Sequence, residues 1–556
     1  MYVFRDGRRR VAGRELVSAL LASLRRLCDC AAGDEVIPAL IRAGELESAL
    51  ADSPDCSPQL LSAATVALDA VSESLVTRLP IADRERIIAE LCAVEPPASL
   101  TTSPLEGFAY YALHPMTYAA LAESLPGDGP TGVIGIRSIG CVLSAVVLAA
   151  LRKRGFVAHR TTVRPVGHPF DRRVVLDERQ EQWLAPLRQS AARFLVCDEG
   201  PGLSGSSMLA TGEALVGAGV EPGQITFLCS RPADPEKLCA HDAARRWQRF
   251  RALVVGPSPA PQDAAHWIGA GAWRNHPLMN GNRNAAPPLA WATMERSKFV
   301  SRDQRALYKF EGFGHYGERV RHNAKLAAGC GFAPRVMESP ASARLGYAEY
   351  EFASARHATA ADMSHPLLLH LAEYCAVRER DFRASPVSDL ANPDMTLAGM
   401  CTANAKFLFG IDADFTSRLP LDRPVLSDSR MAPHEWLITQ EGKFLKTDGA
   451  SHGDDHFFPG PCDIAWDLAG TIVEWNLSRQ ATDLFCEHYR RLSGDDPAAR
   501  LLGHILAYAL FRAGYCQMAA ESLAGDPEQA GLERAHAHYA RLAERQLNVL
   551  RTRKAA

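Results

Sequence analysis

Between residues 131 and 230 short apolar runs alternate with helix-length segments, and few folds accept that rhythm. TGVIGIRSIG (131–140) is a strand running into a loop, and CVLSAVVLAALRKRG follows as a helix closed by basic residues and Gly155. VAHRTTVRPVG and FLVC read as further strands, SSMLATGEALVGAG as a helix, and QITFLCS as another strand. Strands spaced by helices in this way predict a parallel sheet with right-handed crossovers, with ligands at the carboxyl ends of its strands.

That block cannot account for 556 residues, since domains commonly hold about 100–200 residues. Upstream, residues 14–95 carry apolar residues at three- and four-residue spacing and read as helices. EPPASLTTSP (95–104) reads as a linker, and the Pro-, Gly-, Asn- and Trp-rich stretch 255–292 as the next boundary. Beyond it the pattern changes to short strands (SKFVS, ALYKF, GYAEYEF) and then long helices. The expected organisation is a helical N-terminal region (1–98), a parallel-sheet α/β domain (99–255), a linker or extension (256–292) and a separate α+β domain (293–556).

Lys and Arg total 61 against 64 Asp and Glu, a balance that offers no electrostatic footprint for nucleic acid or an anionic membrane. The N-terminus lacks a signal-peptide pattern, and no run approaches the roughly 18 uninterrupted apolar residues of a membrane span. The 14 cysteines are scattered, with Cys28 and Cys30 as a CxC and no CxxC, which suits reduced core thiols in a cytoplasmic protein. Small-molecule partners are therefore expected; oligomeric state is not readable from these residues.

FLVCDEGPGLSGSSM (194–208) ends a buried strand with two acids and continues into a loop poor in side chains. Gly200, Gly202 and Gly205 permit a tight turn, and Ser204, Ser206 and Ser207 sit at the start of the next helix, a setting suited to phosphate. Asp198 and Glu199 cannot bind phosphate; they suit vicinal hydroxyls or a bound Mg2+. The pair and the loop together describe a sugar phosphate. A Walker A loop would need a lysine, absent from 194–208, and a nucleophile elbow would need a closing glycine that GLSGS lacks. An ordinary strand-to-helix turn remains the alternative.

This stretch resembles the phosphoribosyl-diphosphate (PRPP) loop of type I phosphoribosyltransferases, with Glu as the second acid, serines in place of the usual threonines, and one extra residue. The resemblance implies that Asp198 and Glu199 hold the ribose hydroxyls in catalysis, and that Ser204, Gly205, Ser206 and Ser207 hold the 5-phosphate. It implies that Arg137, Ser138 and Gly140 form a pyrophosphate loop. The segment RPVGHPFDRR would be a mobile cover carrying Arg164, His168, Arg172 and Arg173, or simply a solvated charged loop. Glu106, Tyr110 and Tyr111 either line a hood over the acceptor or belong to the core.

The last block contains Gly312-x-Gly314-x-x-Gly317, but no second strand bearing an acid follows at dinucleotide-binding distance, so a Rossmann reading fails. The order of its segments resembles the protein-kinase-like fold in its aminoglycoside- and choline-phosphotransferase branch. That resemblance implies ATP phosphates on Lys309 with Glu318 in the following helix, Asp428 orienting or deprotonating an acceptor hydroxyl, and Mg2+ on Asp448. Asp467, in IAWDLAG, would tie the catalytic loop to its helix. Pro433 stands where the family carries Asn, and Glu435 would replace it as a metal ligand. HGDDHF (452–457) reads as a polar loop beside that site, with a metal cluster of His452, Asp454, Asp455 and His456 as the alternative.

The combined expectation is a bifunctional transferase, joining PRPP to an unknown acceptor and phosphorylating a small molecule with ATP and Mg2+. The alternative is a non-catalytic sensor of ribose phosphate and nucleotide on a degenerate kinase-like scaffold.

Overall fold

The computed structural model describes residues 1–27, 35–276, 288–352, 355–384, 392 and 395–555; Cys28 and Cys30 lie outside them, as does the side chain of Asp454. The chain divides into two compact units. One comprises Arg8–Ala260 with Gly312–His315; the other comprises Met1–Gly7, Pro261–Glu311 and Tyr316–Ala556.

The first unit opens with β1 (Arg9–Val11), α1 (Gly13–Arg26), α2 (Val36–Ala51), α3 (Pro58–Thr77), α4 (Arg84–Cys92) and β2 (Leu100–Thr102). β1 and β2 pair antiparallel, so the expected linker around 95–104 contains a strand. Ser57 caps α3 by accepting the Leu60 N–H, with Pro58 at the first helical position. α3 is long and apolar enough to cross a membrane by length and composition, although 50% of its apolar window is buried inside the protein. The count of uninterrupted apolar residues passes over it because Ser, Thr and Asp69 interrupt the run.

There follow α5 (Glu106–Ala109), α6 (Pro115–Glu123), β3 (Thr131–Ile136), α7 (Ile139–Lys153), β4 (Ala158–Val163), β5 (Val166–His168), β6 (Asp171–Arg173), α8 (Glu178–Gln189), β7 (Arg193–Cys197), α9 (Ser206–Gly217), β8 (Ile225–Cys229), α10 (Ala243–Trp247) and β9 (Arg251–Val254). The sheet order is β4-β3-β7-β8-β9, and every pairing is parallel. The order reverses between β3 and β7, the switch point where such sheets take ligands. Phe194, Val196, Leu209, Phe227 and Trp247 fill the core beside it. α7 packs onto β3 almost backbone to backbone: a Cβ on Gly135 would lie 2.3 Å from the Gly140 carbonyl oxygen.

The second unit begins with β10 (Ala264–Trp267), β11 (Lys298–Ser301), β12 (Ala306–Phe310), α11 (Gly314–Gly329), β13 (Val336–Met337), α12 (Pro340–Arg344) and β14 (Tyr347–Glu351). These strands form an antiparallel sheet in the order β10-β11-β12-β14-β13. β10 lies inside the stretch read as a linker; its short, mostly exposed AAHW sequence carries no apolar–polar alternation to betray it. Then come β15 (Ala355–His357), α13 (His365–Asp381), α14 (Leu397–Phe409), β16 (Pro424–Leu426), β17 (Trp436–Thr439), β18 (Phe444–Lys446) and β19 (Pro461–Asp463). The chain closes with α15 (Ala465–Glu474), α16 (Arg479–Ser493), α17 (Ala498–Ser522) and α18 (Gln529–Ala555). Trp436, Tyr374, Leu371, Leu468 and Tyr489 pack the helical part around β17.

Candidate functional site

In the second unit, Lys298 on β11 and Lys309 on β12 are direct cross-strand partners, so both ammonium groups stand on one face of the sheet. Like charges so placed repel, and Asp448 relieves them: its two carboxylate oxygens lie 2.9 Å from Lys298 and 2.9 Å from Lys309. Burial alone would raise the Asp448 carboxyl, but the two lysines outweigh it and hold the group well below the usual carboxylate range. Asp448 follows β18 with a φ of 60°, a left-handed conformation uncommon for a residue with a side chain.

Lys309 completes its shell with Glu311 at 3.1 Å and the Ser451 hydroxyl at 2.6 Å. Glu318, expected with Lys309 at the ATP site, is exposed on α11. The buried acid that pairs instead is Glu311, two residues along from the lysine, where strand alternation returns a side chain to the same face. Glu311 is fixed in turn by the Tyr350 hydroxyl (2.7 Å) and Arg296 (3.4 Å).

Lys309 and Asp448 line a cleft beside this cluster. Leu307, Ala324, Ala327, Tyr350, Phe352 and Leu437 give it apolar walls. A flat aromatic base fits such walls, and an anionic tail fits the lysines.

Asp428 lies deeper. Its backbone N–H and that of Ser429 donate to the Asp467 carboxylate at 2.9 and 3.0 Å, which gives Asp467 the loop-tying place expected of it. Asp428 Oδ2 accepts from the Tyr374 hydroxyl, and Oδ1 faces Lys446 at 3.2 Å. Burial pushes this carboxyl up, yet Lys446, His452 and Arg378 outweigh it and leave it well below the usual range. Glu435 precedes β17 and pairs with Lys446 at 3.0 Å, so the carboxylate expected as a metal ligand already holds an internal cation. The residues of HGDDHF diverge: His452 turns toward Asp428 and Glu435, while Asp455 caps the Phe457 N–H.

In the parallel-sheet unit, Asp198 and Glu199 follow β7 at the switch point, and the β5–β6 hairpin supplies the segment expected as a cover. Burial pushes Asp198 up to about 7 against the pull of the Glu199 N–H, Arg172 and Arg164. Glu199 is pushed up to about 8 by burial, with Glu106 and Asp198 adding to it. Glu106 itself is raised by burial. Tyr110 is buried and stacks edge-on against Tyr111, as core residues do.

Within the loop, Gly205 has a φ of 70° and precedes α9. The hydroxyls of Ser204 and Ser206 both donate to the Pro169 carbonyl at the tip of the hairpin, at 2.8 and 2.6 Å. Ser207 stands in the first turn of α9.

The expected pyrophosphate loop departs from its reading. Arg137 donates to the Ala51 carbonyl and to Asp52, both at 3.0 Å, and Arg164 also grips Asp52, with its Nε at 2.9 Å. The Ser138 N–H donates to Ser48 at 3.1 Å, and Ser138 is held at φ 95°. An acid from α2's end thus neutralises the cations, so Arg137 and Ser138 have internal partners. Gly140 serves packing: a Cβ there would lie 2.7 Å from the Cys197 carbonyl oxygen.

No family model matches the chain. No curated protein matches it either. Among solved structures, it is similar to a choline/ethanolamine kinase family protein from Mesorhizobium loti, at 16% identity and TM-score 0.32, over 51% of this chain and 98% of that one. It is also similar to a choline kinase from Streptococcus pneumoniae, at 12% identity and TM-score 0.31, over 44% and 89%. A spectinomycin phosphotransferase in complex with ADP and spectinomycin aligns at 13% identity and TM-score 0.29, over 48% and 92%. At such scores the likeness carries no argument, and function has to be read from the residues themselves.

Proposed function

We propose that the second unit is an ATP-dependent phosphotransferase acting on a hydroxyl of a small molecule. The observation that carries this reading is the convergence of Lys298 and Lys309 on Asp448, with Lys309 and Asp448 lining a largely apolar cleft. Arriving phosphates compete for the two ammonium groups, and the freed carboxylate is a hard oxygen donor suited to Mg2+. Mg2+ bound there would neutralise charge on the phosphates. Lys309, kept in register by Glu311 and Ser451, positions the phosphates, and catalysis is chiefly positioning and charge stabilisation. Asp428 is the base that orients the acceptor hydroxyl. Radiolabelled phosphate should pass from γ-labelled ATP to a member of a panel of small hydroxylated compounds, in the presence of Mg2+. ATP binding without transfer to any of them would favour the non-catalytic scaffold.

A second reading concerns the parallel-sheet unit: it binds a ribose phosphate, PRPP foremost, with Asp198 and Glu199 on the sugar hydroxyls and the amides of the 204–207 loop on the phosphate. The placement of both acids after β7, where the strand order reverses, favours it. Binding has to displace Asp52 from Arg137 and Arg164 for those cations to reach a pyrophosphate. Pyrophosphate release from PRPP, screened with nucleobases and small amines, is the direct measurement. A folded protein that neither binds nor turns over PRPP sinks this reading and leaves the first one standing.

A further inference from the structure

Lys446, the last residue of β18, is a buried charge to which the phosphotransferase reading gives no task. Its ammonium lies 3.2 Å from Asp428 Oδ1 and 3.0 Å from Glu435 Oε2, and donates to the Thr447 carbonyl at 2.6 Å. An ammonium has three N–H donors and no acceptor, so these three oxygens use all of them. The side chain is 1% exposed, which fixes the charge in place. His452 Nδ1 stands 3.7 Å from Asp428 and 3.5 Å from Glu435.

The ligand-type atoms of Asp428, Glu435 and His452 all lie within 4.8 Å of one another, close enough to gather around one metal ion. Lys446 prevents that. Mg2+ needs oxygens at about 2.0–2.1 Å in an octahedral shell, and an ammonium bonded to the same two carboxylates both occupies the oxygens and repels a second cation. Protein kinases hold two Mg2+ ions, one on the Asp after the strand and one on the catalytic-loop Asn. Here Pro433 stands at the Asn position, and the nearest replacement, Glu435, is bound to lysine. A second divalent ion does not fit.

We infer that Lys446 supplies, as a fixed ammonium, the positive charge that a second divalent cation brings to phosphoryl-transfer clefts, and that this unit takes its nucleotide with a single divalent ion. The inference rests on the phosphotransferase reading. Its test is the number of Mn2+ ions the full chain gains when the non-hydrolysable analogue AMP-PNP is added, counted by electron paramagnetic resonance. Counting the gain removes ions held independently of nucleotide. Wild type should gain one Mn2+, and Lys446→Met, which frees both carboxylates, should gain two. A gain of two in wild type, or of one in a folded Lys446→Met, overturns the inference alone. No nucleotide-dependent gain at all overturns it together with the phosphotransferase reading. Should Lys446→Met fail to fold, Glu435→Gln decides: a count that stays at one supports the inference, and a fall from two to one refutes it.

Discussion

Asp448→Asn is expected to lower phosphate transfer by about 10³-fold while leaving ATP affinity in EDTA equal to or higher than that of wild type. The split follows from the geometry. Asp448 is the counter-charge for Lys298 and Lys309, and both lysines are taken up by it in the nucleotide-free cleft. The amide keeps the shape but removes the charge, so the ammonium groups are free for phosphate from the start. What is lost is the oxygen donor for Mg2+. The variant should also be less stable, by about 3–5 kcal/mol, because two partly desolvated ammonium groups on directly opposed strand positions lose their common partner. Saturating ATP should recover part of that loss, since binding to the folded state alone stabilises it by mass action. Titration with a fluorescent nucleotide in EDTA, single-turnover transfer, and thermal melting with and without ATP check the three parts. Transfer within tenfold of wild type would remove Asp448 from the chemistry.

What the residues disclosed in advance was what local patterning carries. The alternation of 131–230 made the parallel sheet legible, and the acids after FLVC landed at the end of β7 because a buried strand must surface where polar residues begin. Lys309, Asp428, Asp448 and Asp467 were singled out by their order along the chain; the structure sets Lys309 beside Asp448 and joins Asp428 to Asp467. Glu318, read as an ATP-site residue, lies exposed on α11, while the two-residue strand period from Lys309 leads to the buried Glu311. Lys446 was equally open to that rule, standing two residues before Asp448. Asp52 was not legible at all. It lies 85 residues from Arg137 in sequence, and no local spacing announces which acid a packed helix end will deliver to a loop.

The parallel-sheet unit carries the other large effect, and it is one of pH. Asp198 is raised to about 7 and Glu199 to about 8, against ordinary values of 3.8 and 4.5, burial being the main cause of each. Between those limits the folded chain therefore holds protons that the unfolded chain has released. Stability rises with pH only where the unfolded state binds more protons, so here the sign is reversed. The contribution of this pair is full below about pH 4 and is lost as the pH climbs through 7 and 8. A tenfold difference in proton affinity between the folded and unfolded chain is worth about 1.4 kcal/mol. Because both carboxylates keep some exposure, screening trims the effect of the pair to about 2–4 kcal/mol. Urea unfolding of wild type should thus show a fall of that size from pH 4 to pH 9, while the isosteric double variant Asp198→Asn/Glu199→Gln stays nearly flat over the same range. Parallel curves would show that the two carboxyls titrate as ordinary surface acids. A ligand that presents hydroxyls to the pair needs carboxylates rather than acids, so the proton and the sugar compete for the same oxygens. PRPP affinity should then rise by up to about tenfold per pH unit for each carboxyl below pH 7 and level off above pH 8. The stability that wild type loses at high pH is the cost of keeping two charges ready in a dry pocket, and the double variant, spared that cost, should not bind the sugar at any pH.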